Sequence, residues 1–299
     1  RDIAVTGDLI RRHHLLLSGP PGVGKSMLAK SAETLLPALE TSEQVEVVKN
    51  HSWHEIPSAF GRPFRAPHHS ISTAALLGGG NGVAHPGEAT LADLGVLFLD
   101  EFPEFHRDAI EGLREPLEDR KIHIHRVGKS LKLPARFSLI ASMNPCPCGY
   151  YKVQGAQRCQ CPFERVARYR KKISGPILDR MDLFVAITRT LSSVGEPTQA
   201  QALDSVTAAW NRQSKRYGNP IDRNGTQMVD VDHEPFLLKG RERRWYESHV
   251  TEAKLSLRAL HKIVRVARTV ADMEDAETIS ETHLLEAMAL RCPNQLLQP

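Results

Sequence analysis

Short continuous apolar runs alternate with helical patterns over the first two thirds of the chain. Four runs have the length and composition of strands that are buried on both faces of a parallel sheet: residues 14–18, 95–99, 137–141 and 183–187. Residues 25–36 and 104–118 have helical spacing, and alternating arms over 121–133 predict a hairpin. This order of elements predicts an α/β fold with a parallel sheet.

The pattern changes beyond residue 190. A looser region around Gly195 and Pro197 predicts a domain boundary, which divides the chain into 1–190 and 191–299. The second part predicts a small all-α domain with helices over 199–214, 242–254, 256–273 and 280–290, the last capped by Ser280. Residues 51–90 are rich in Gly, Pro and His, and we interpret them as insertions between core elements.

Composition excludes several classes of protein. The 299 residues are 41% hydrophobic and 25% charged with a mean hydropathy of −0.33, which is typical of a soluble globular protein. No run approaches the roughly 18 apolar residues of a membrane span, and no secretory signal is visible, so we expect a cytoplasmic protein without a membrane partner. The net charge of +4 is mild, but basic residues cluster over 120–136, 165–172 and 239–244, which favours an anionic ligand.

A glycine-rich loop follows the first strand. The segment Gly19-Pro-Pro-Gly-Val-Gly-Lys-Ser26 fits the phosphate-binding pattern G-x-x-x-x-G-K-[ST] between a strand and a helix. Its backbone N–H groups can surround phosphate oxygens, and its lysine can neutralise their charge. The predicted nucleotide-binding residues are Gly19, Pro20, Pro21, Gly22, Val23, Gly24, Lys25, Ser26 and Met27.

Two carboxylates end the second apolar run. Asp100 and the hydroxyl of Ser26 are predicted to hold Mg²⁺ or its water, and Glu101 is predicted to polarise an attacking water. The pair therefore predicts nucleotide hydrolysis with Mg²⁺ rather than nucleotide binding alone.

Four of the five cysteines form two close pairs, Cys146 with Cys148 and Cys159 with Cys161. Four thiols suit a closed tetrahedral Zn²⁺ site, so we expect a structural zinc ion. The alternative is a set of reduced packing cysteines or an oxidation-prone loop.

Two further groups of residues are candidate ligand sites. His68 and His69 lack an acidic or cysteine partner at ligand spacing, and we interpret them as loop residues. The basic hairpin carries Arg126, Lys129 and Lys132, which favour an anionic ligand.

Together these motifs resemble AAA+ ATPases, and longer strings resemble one family within them. The strings RPFRAPHHSIS (62–72), PGEATLADLGVLFLDEFPEF (86–105), LREPLEDRKI (113–122), NPCPCGYY (144–151), SGPILDRMDL (174–183) and LHKIVRVARTVADM (260–273) are similar to the magnesium-chelatase-like ComM/YifB family of bacteria. The resemblance implies an AAA+ three-layer sandwich with a helix-2 insert and a pre-sensor-1 hairpin, followed by a helical lid.

The resemblance also implies roles for single residues. Asn144 resembles sensor 1, Arg180 resembles an arginine finger that reaches a neighbouring subunit's nucleotide, and Arg258 resembles sensor 2 on the lid. The resemblance implies a homo-oligomeric, hexameric ring that moves on single-stranded or branched DNA, with branch migration in natural transformation and recombination. In such a ring, Arg126, Lys129 and Lys132 of the hairpin would contact the DNA phosphate backbone without reading its sequence. The family usually carries a Lon-protease-like N-terminal domain, which this sequence lacks, so we expect a fragment of a longer protein.

Two other functions stay open at this point. The same ATPase could serve as a magnesium-chelatase subunit acting on a protein partner, although the cysteine cluster argues against that assignment. It could also be a protein-remodelling chaperone whose ring binds no DNA.

Overall fold

The computed structural model describes residues 13–52, 61–80, 85–126, 129–153, 157–187, 199–219, 222–252 and 255–291, except for the side chains of residues 125, 126, 129, 199 and 202. These residues form two compact units. The described residues of the first unit lie within His14–Leu191, and those of the second lie within Ser192–Cys292 together with His13.

The first unit contains the sheet. Its strands, β1 to β9 in chain order, are Leu15–Ser18, Phe64–Arg65, Gly78–Gly79, His85–Pro86, Val96–Leu99, Lys121–Arg126, Lys129–Pro134, Ser138–Met143 and Leu183–Ala186. Five of them form a parallel sheet in the order β2-β5-β8-β1-β9. The expected α/β fold with a parallel sheet is confirmed, and the four apolar runs provide β1, β5, β8 and β9.

One sequence interpretation is wrong. Residues 51–90 were expected to contain only insertions, but Phe64–Arg65 pairs with Val96–Leu97 and forms the edge strand β2 of the main sheet. The strand is two residues long and follows Pro63, so it leaves no apolar run or alternation that a sequence pattern could reveal.

Helices cover the sheet of the first unit. They span Lys25–Thr34, Thr41–His51, Thr73–Leu77, Glu88–Leu91, Arg107–Gly112, Arg114–Asp119, Phe163–Arg170 and Gly175–Leu178, with a 3₁₀ turn at Phe102–Glu104. The single helix expected over 104–118 is broken after Gly112, because Pro116 has no N–H to donate to the carbonyl four residues earlier.

The sheet register brings three chain segments to one edge. Ser18 at the end of β1 pairs with Met143 at the end of β8, and Leu99 at the end of β5 pairs with Ala141. The segments that follow these strands therefore leave the sheet side by side, where ligands bind in open α/β sheets.

The second unit is helical. Its helices are Gln199–Tyr217, Gly240–Thr251, Leu257–Met273 and Glu281–Leu290, and the third packs against the first and the fourth. Ser280 accepts a hydrogen bond from the backbone N–H of His283, which confirms its predicted capping role. Among the residues that the structure describes, no helix combines the length and apolar character that a membrane span requires.

A buried carboxylate joins the helices of the second unit. Asp272 accepts hydrogen bonds from Arg216 at 2.6 and 2.8 Å, from Arg268 at 3.0 Å and from Asn224 at 2.7 Å. The side chains of Asp272 and Arg268 are almost fully buried. Burial lowers the pKa of Arg268, and the carboxylate of Asp272 acts in the opposite direction.

We expect Asp272→Asn to lower the free energy of unfolding of this unit by about 3–5 kcal/mol, because the change leaves buried arginines without their counter-charge. Asp275→Asn is the matched control, since Asp275 is exposed and its ion pair with Arg212 should contribute at most about 1 kcal/mol. Urea denaturation of both variants measures the difference. Equal losses in the two variants would contradict the role given to the network.

Candidate nucleotide site

The loop after β1 turns sharply into the helix Lys25–Thr34. Gly24 takes φ 89°, which a residue with a Cβ rarely adopts, and the first turn of the helix starts directly after it. The ammonium of Lys25 donates to the carbonyls of Gly19 at 2.8 Å and Pro20 at 2.9 Å, and to Oδ1 of Asn144 at 3.0 Å. Burial lowers the pKa of Lys25, while Asp100 and Glu101 act in the opposite direction.

Asp100 lies beside the loop. Ser26 donates a hydrogen bond of 2.6 Å to Oδ2 of Asp100, and Ser142 donates to Oδ1. Burial would raise the pKa of Asp100, but these hydroxyls, the Glu101 backbone N–H and Lys25 together hold it below its ordinary value. The carboxyl is therefore ionised at neutral pH, as a Mg²⁺ ligand must be.

Glu101 has an unusual backbone and an unexpected partner. It takes φ 53°, the left-handed region that non-glycine residues seldom occupy. The Nδ1 atom of His69 lies 3.1 Å from its Oε2 atom, and the His69 ring packs edge-on to Phe105. Sequence reasoning assigned His69 to an ordinary loop and missed this contact, which joins segments far apart in the chain.

These groups line a single cleft of about 400 Å³. One wall is the loop with Pro21, Gly22, Gly24, Lys25, Ser26 and Met27, and the opposite wall is Asp100, Glu101, Ser142, Met143 and Asn144. Gly19, Pro20 and Val23 belong to the same loop but are not among the lining residues. The cleft therefore combines a lysine and a helix N-terminus, which suit phosphates, with carboxylates that suit a divalent cation.

Arg180 and Arg258 are not among the residues that line the cleft. Arg180 donates to the carbonyls of Arg114 at 3.0 Å and Pro176 at 2.9 Å, and it forms an ion pair with Glu118. Its contacts therefore lie on the helix Arg114–Asp119 and its own turn. Arg258 begins the helix Leu257–Met273 in the second unit.

The four cysteines of the two pairs come together in space. Their sulfur atoms lie within 4.8 Å of one another, with 3.3 Å between Cys146 and Cys148, 3.7 Å between Cys146 and Cys159, and 3.6 Å between Cys148 and Cys159. Ligands of a tetrahedral zinc ion, at about 2.3 Å from the metal, lie about 3.8 Å apart. The arrangement could therefore hold a metal ion.

The thiols differ in acidity. Burial opposes ionisation of Cys148, but hydrogen bonds from the Tyr150 backbone and the Cys146 thiol lower its pKa to about 6. Burial raises the pKa of Cys159 to about 12. Cys148 is therefore shifted toward the thiolate, which is the form that ligates metals.

The expected hairpin is present as β6 and β7. Its register pairs His123 with Lys132 and Arg126 with Lys129. Lys132 is exposed, and His123 forms an ion pair with Glu115. Residues 127–128 at the tip and the side chains of Arg126 and Lys129 lie outside the described part of the chain.

The five-stranded parallel sheet, the phosphate-binding loop after β1 and the acidic end of β5 define an AAA+ P-loop fold. Residues 2–194 match the family described as magnesium chelatase, subunit ChlI, and residues 196–291 match its C-terminal domain. The chain belongs to this magnesium-chelatase family, which confirms the resemblance drawn from the sequence.

The chain is also similar to individual proteins. The chain is 39% identical over 303 residues to the competence protein ComM of Haemophilus influenzae and 40% identical over 296 residues to the uncharacterized protein YifB of Escherichia coli. These matches cover 96% and 95% of this chain but 57% of each relative, so the chain spans little more than half their length. The DNA replication licensing factor Mcm6 of Drosophila melanogaster is 24% identical over 70% of this chain and 26% of its own.

Proposed function

We propose that the protein hydrolyses ATP with Mg²⁺ and uses the energy to drive a ring-shaped DNA motor. The observation that carries the proposal is the convergence of Lys25, Ser26, Asp100 and Glu101 on one cleft. Phosphate-binding and carboxylate groups at this spacing are the parts from which P-loop hydrolases are built.

The residues of the cleft have different roles in the proposed hydrolysis. The loop N–H groups and Lys25 hold the phosphates, and Ser26 and Asp100 hold Mg²⁺, which would neutralise charge on the phosphate oxygens. Glu101 accepts the proton of the attacking water, and His69 orients its carboxylate. Asn144, which already contacts Lys25, orients that water from the end of β8.

The remaining catalytic groups belong to the assembled ring. Arg180 would reach the γ-phosphate in a neighbouring subunit, and Arg258 would contact it from the helical lid. Such a ring is a homo-oligomer, for which we propose six subunits.

DNA is the proposed partner. The hairpin β6–β7 presents Lys132 to solvent and carries Arg126 and Lys129 beside its tip. Contacts from such residues to phosphates do not depend on base sequence. The similarity to a competence protein and to a DNA replication licensing factor supports DNA as the partner, and we propose helicase or branch-migration activity in natural transformation and recombination.

A second function is favoured by the family itself. The family match supports a magnesium-chelatase subunit, and such a subunit would act on a protein partner rather than on DNA. A protein-remodelling chaperone would use the same ATPase. Neither alternative requires the basic hairpin, so the response to DNA separates them from the motor.

We assign Zn²⁺ to the four thiols of Cys146, Cys148, Cys159 and Cys161. Their mutual distances suit tetrahedral coordination, and four thiolate ligands leave no open position for catalysis. The ion would have a structural role in the connection between β8 and the helix Phe163–Arg170.

ATP hydrolysis measured with and without single-stranded, duplex and branched DNA tests the motor. We expect stimulation that fades between low and moderate salt, and we expect Lys129→Ala to reduce the stimulation more than the basal rate. Lys215→Ala, which changes an exposed lysine of the second unit outside the three basic clusters, is the matched control and should leave both rates unchanged. Hydrolysis that is indifferent to every DNA would favour the protein-directed alternatives.

A further inference from the structure

The four-cysteine cluster lies directly beside the nucleotide cleft. Cys146 follows Asn144 by two residues, and Asn144 lines the cleft and accepts a hydrogen bond from Lys25 at 3.0 Å. Cys146 is fully buried, so its sulfur points into the protein rather than toward solvent. One short segment, Asn144–Gly149, therefore carries two of the thiols and one wall residue of the cleft.

The same segment touches the phosphate-binding loop at a second point. Gly149 takes φ 88°, and a Cβ placed on it would lie 2.5 Å from Cδ of Pro21 and 3.2 Å from its Cγ. The Gly149 backbone N–H donates to the carbonyl of Cys146 at 2.9 Å, so the contact point is tied to a metal-ligating residue. Pro21 itself lines the cleft.

The helix Phe163–Arg170 holds the segment from the other side. The buried Arg170 donates through Nε to the carbonyl of Pro145 at 3.0 Å, and its guanidinium lies 5.0 Å from the centre of the Tyr151 ring. Cys159 and Cys161 precede this helix. A metal ion on the four sulfurs would therefore join the segment Asn144–Gly149 to the start of the helix that supports it.

A metal ion at this point would limit the positions that the segment can take. Without it, two pairs of thiols have only weak mutual hydrogen bonds, and the segment is held by Arg170 and by the contact with Pro21. Since Asn144 and Gly149 are the ends of the segment, its order determines where one cleft wall and the loop residue Pro21 lie.

We propose that zinc binding by the four cysteines and nucleotide binding in the cleft are coupled, with the contact between Gly149 and Pro21 as the link. This inference rests on the proposed ATP and zinc sites, and it adds that the thiol cluster sets the affinity of the nucleotide site. Coupling of this kind is reciprocal, so each ligand strengthens the binding of the other by the same factor, typically about 5- to 150-fold.

The test measures both directions on the full chain under reducing conditions. The zinc content is first determined by elemental analysis. The affinity for zinc is then measured by competition with a chromophoric chelator, with and without saturating Mg·ADP, and the dissociation constant of a fluorescent ADP analogue is measured with and without zinc. We expect about one zinc ion per chain and a change of at least 5-fold, equal in both measurements.

Two variants locate the link. Gly149→Ala should retain zinc but bind ADP more weakly and show reduced coupling, because the added methyl group displaces Pro21. Cys292→Ser, which changes the cysteine outside the two sequence pairs, is the matched control and should behave as the unaltered chain. Circular dichroism of Gly149→Ala shows whether the fold is retained, and the measurements on the unaltered chain need no variant.

The possible outcomes distinguish a failure of the coupling from a failure of the proposed zinc site or ATP site. Zinc and ADP that both bind, with affinities that change less than 2-fold, overturn the coupling and leave both sites standing. A chain that binds ADP but no zinc overturns the zinc site and the coupling while the nucleotide site stands. A chain that binds zinc but no ADP overturns the proposed ATPase together with the coupling.

Discussion

Replacing Glu101 by glutamine is expected to slow ATP hydrolysis by about 10²- to 10⁴-fold, the usual contribution of a positioned general base. The amide keeps the size of the side chain but cannot take the proton of the attacking water. Binding of ATP should be retained, because Lys25, Ser26 and Asp100 are unchanged and Glu101 contacts Asp100 through its backbone N–H, which the substitution keeps. Steady-state hydrolysis and the affinity for a fluorescent ATP analogue measure the two effects separately.

Glu104→Gln is the matched control for this prediction. Glu104 lies three residues further along, is paired with Lys172 at 2.8 Å and is not among the residues that line the cleft. Its replacement should change the rate less than 2-fold, since an exposed ion pair contributes little. If Glu101→Gln and Glu104→Gln had equal rates, the assignment of the base would be wrong.

Arg180→Ala is expected to lower the hydrolysis rate by about 10³- to 10⁵-fold if the guanidinium stabilises the transition state in a neighbouring subunit. In the chain described here Arg180 is held by Glu118 and by two carbonyl groups. An ion pair with a partly exposed carboxylate contributes about 1 kcal/mol or less to stability. Breaking it to let Arg180 contact a phosphate therefore requires little free energy. The rate of hydrolysis by the assembled protein is the measurement.

Two comparisons distinguish a role across subunits from a structural one. Mixing Arg180→Ala with Lys25→Ala should restore part of the activity, because an intact loop on one subunit can meet an intact arginine on the next. A structural role predicts instead that Glu118→Gln costs as much as Arg180→Ala and that mixing restores nothing. Arg168→Ala, an exposed arginine on the helix Phe163–Arg170, should leave the rate unchanged.

Most of the fold was predictable from local patterns. The apolar runs of β1, β5, β8 and β9 and the four helices of the second unit follow from periodicity alone, because burial on both faces or on one stripe leaves a direct mark on the sequence. The helix Thr41–His51 and the two-residue strand β2 were not predicted. Elements of this kind are short or amphipathic, and their formation depends on contacts with other elements of the fold rather than on their own sequence pattern.

Part of the candidate site was also predictable from the sequence. The sequence by itself determined the phosphate-binding loop, the paired carboxylates after β5 and the two cysteine pairs, because each is a short motif whose chemistry depends on neighbouring residues. It also implied, through family resemblance, that Asn144 belongs with them.

Only the tertiary structure decided which distant groups meet these motifs. His69 beside Glu101, Ser142 beside Asp100 and Gly149 against Pro21 are all contacts between segments well separated in the chain. Their geometry follows from strand order and register, which place the ends of β1, β5 and β8 at one edge of the sheet. Sequence patterns record the local periodicity of each element, whereas these contacts depend on how the elements pair.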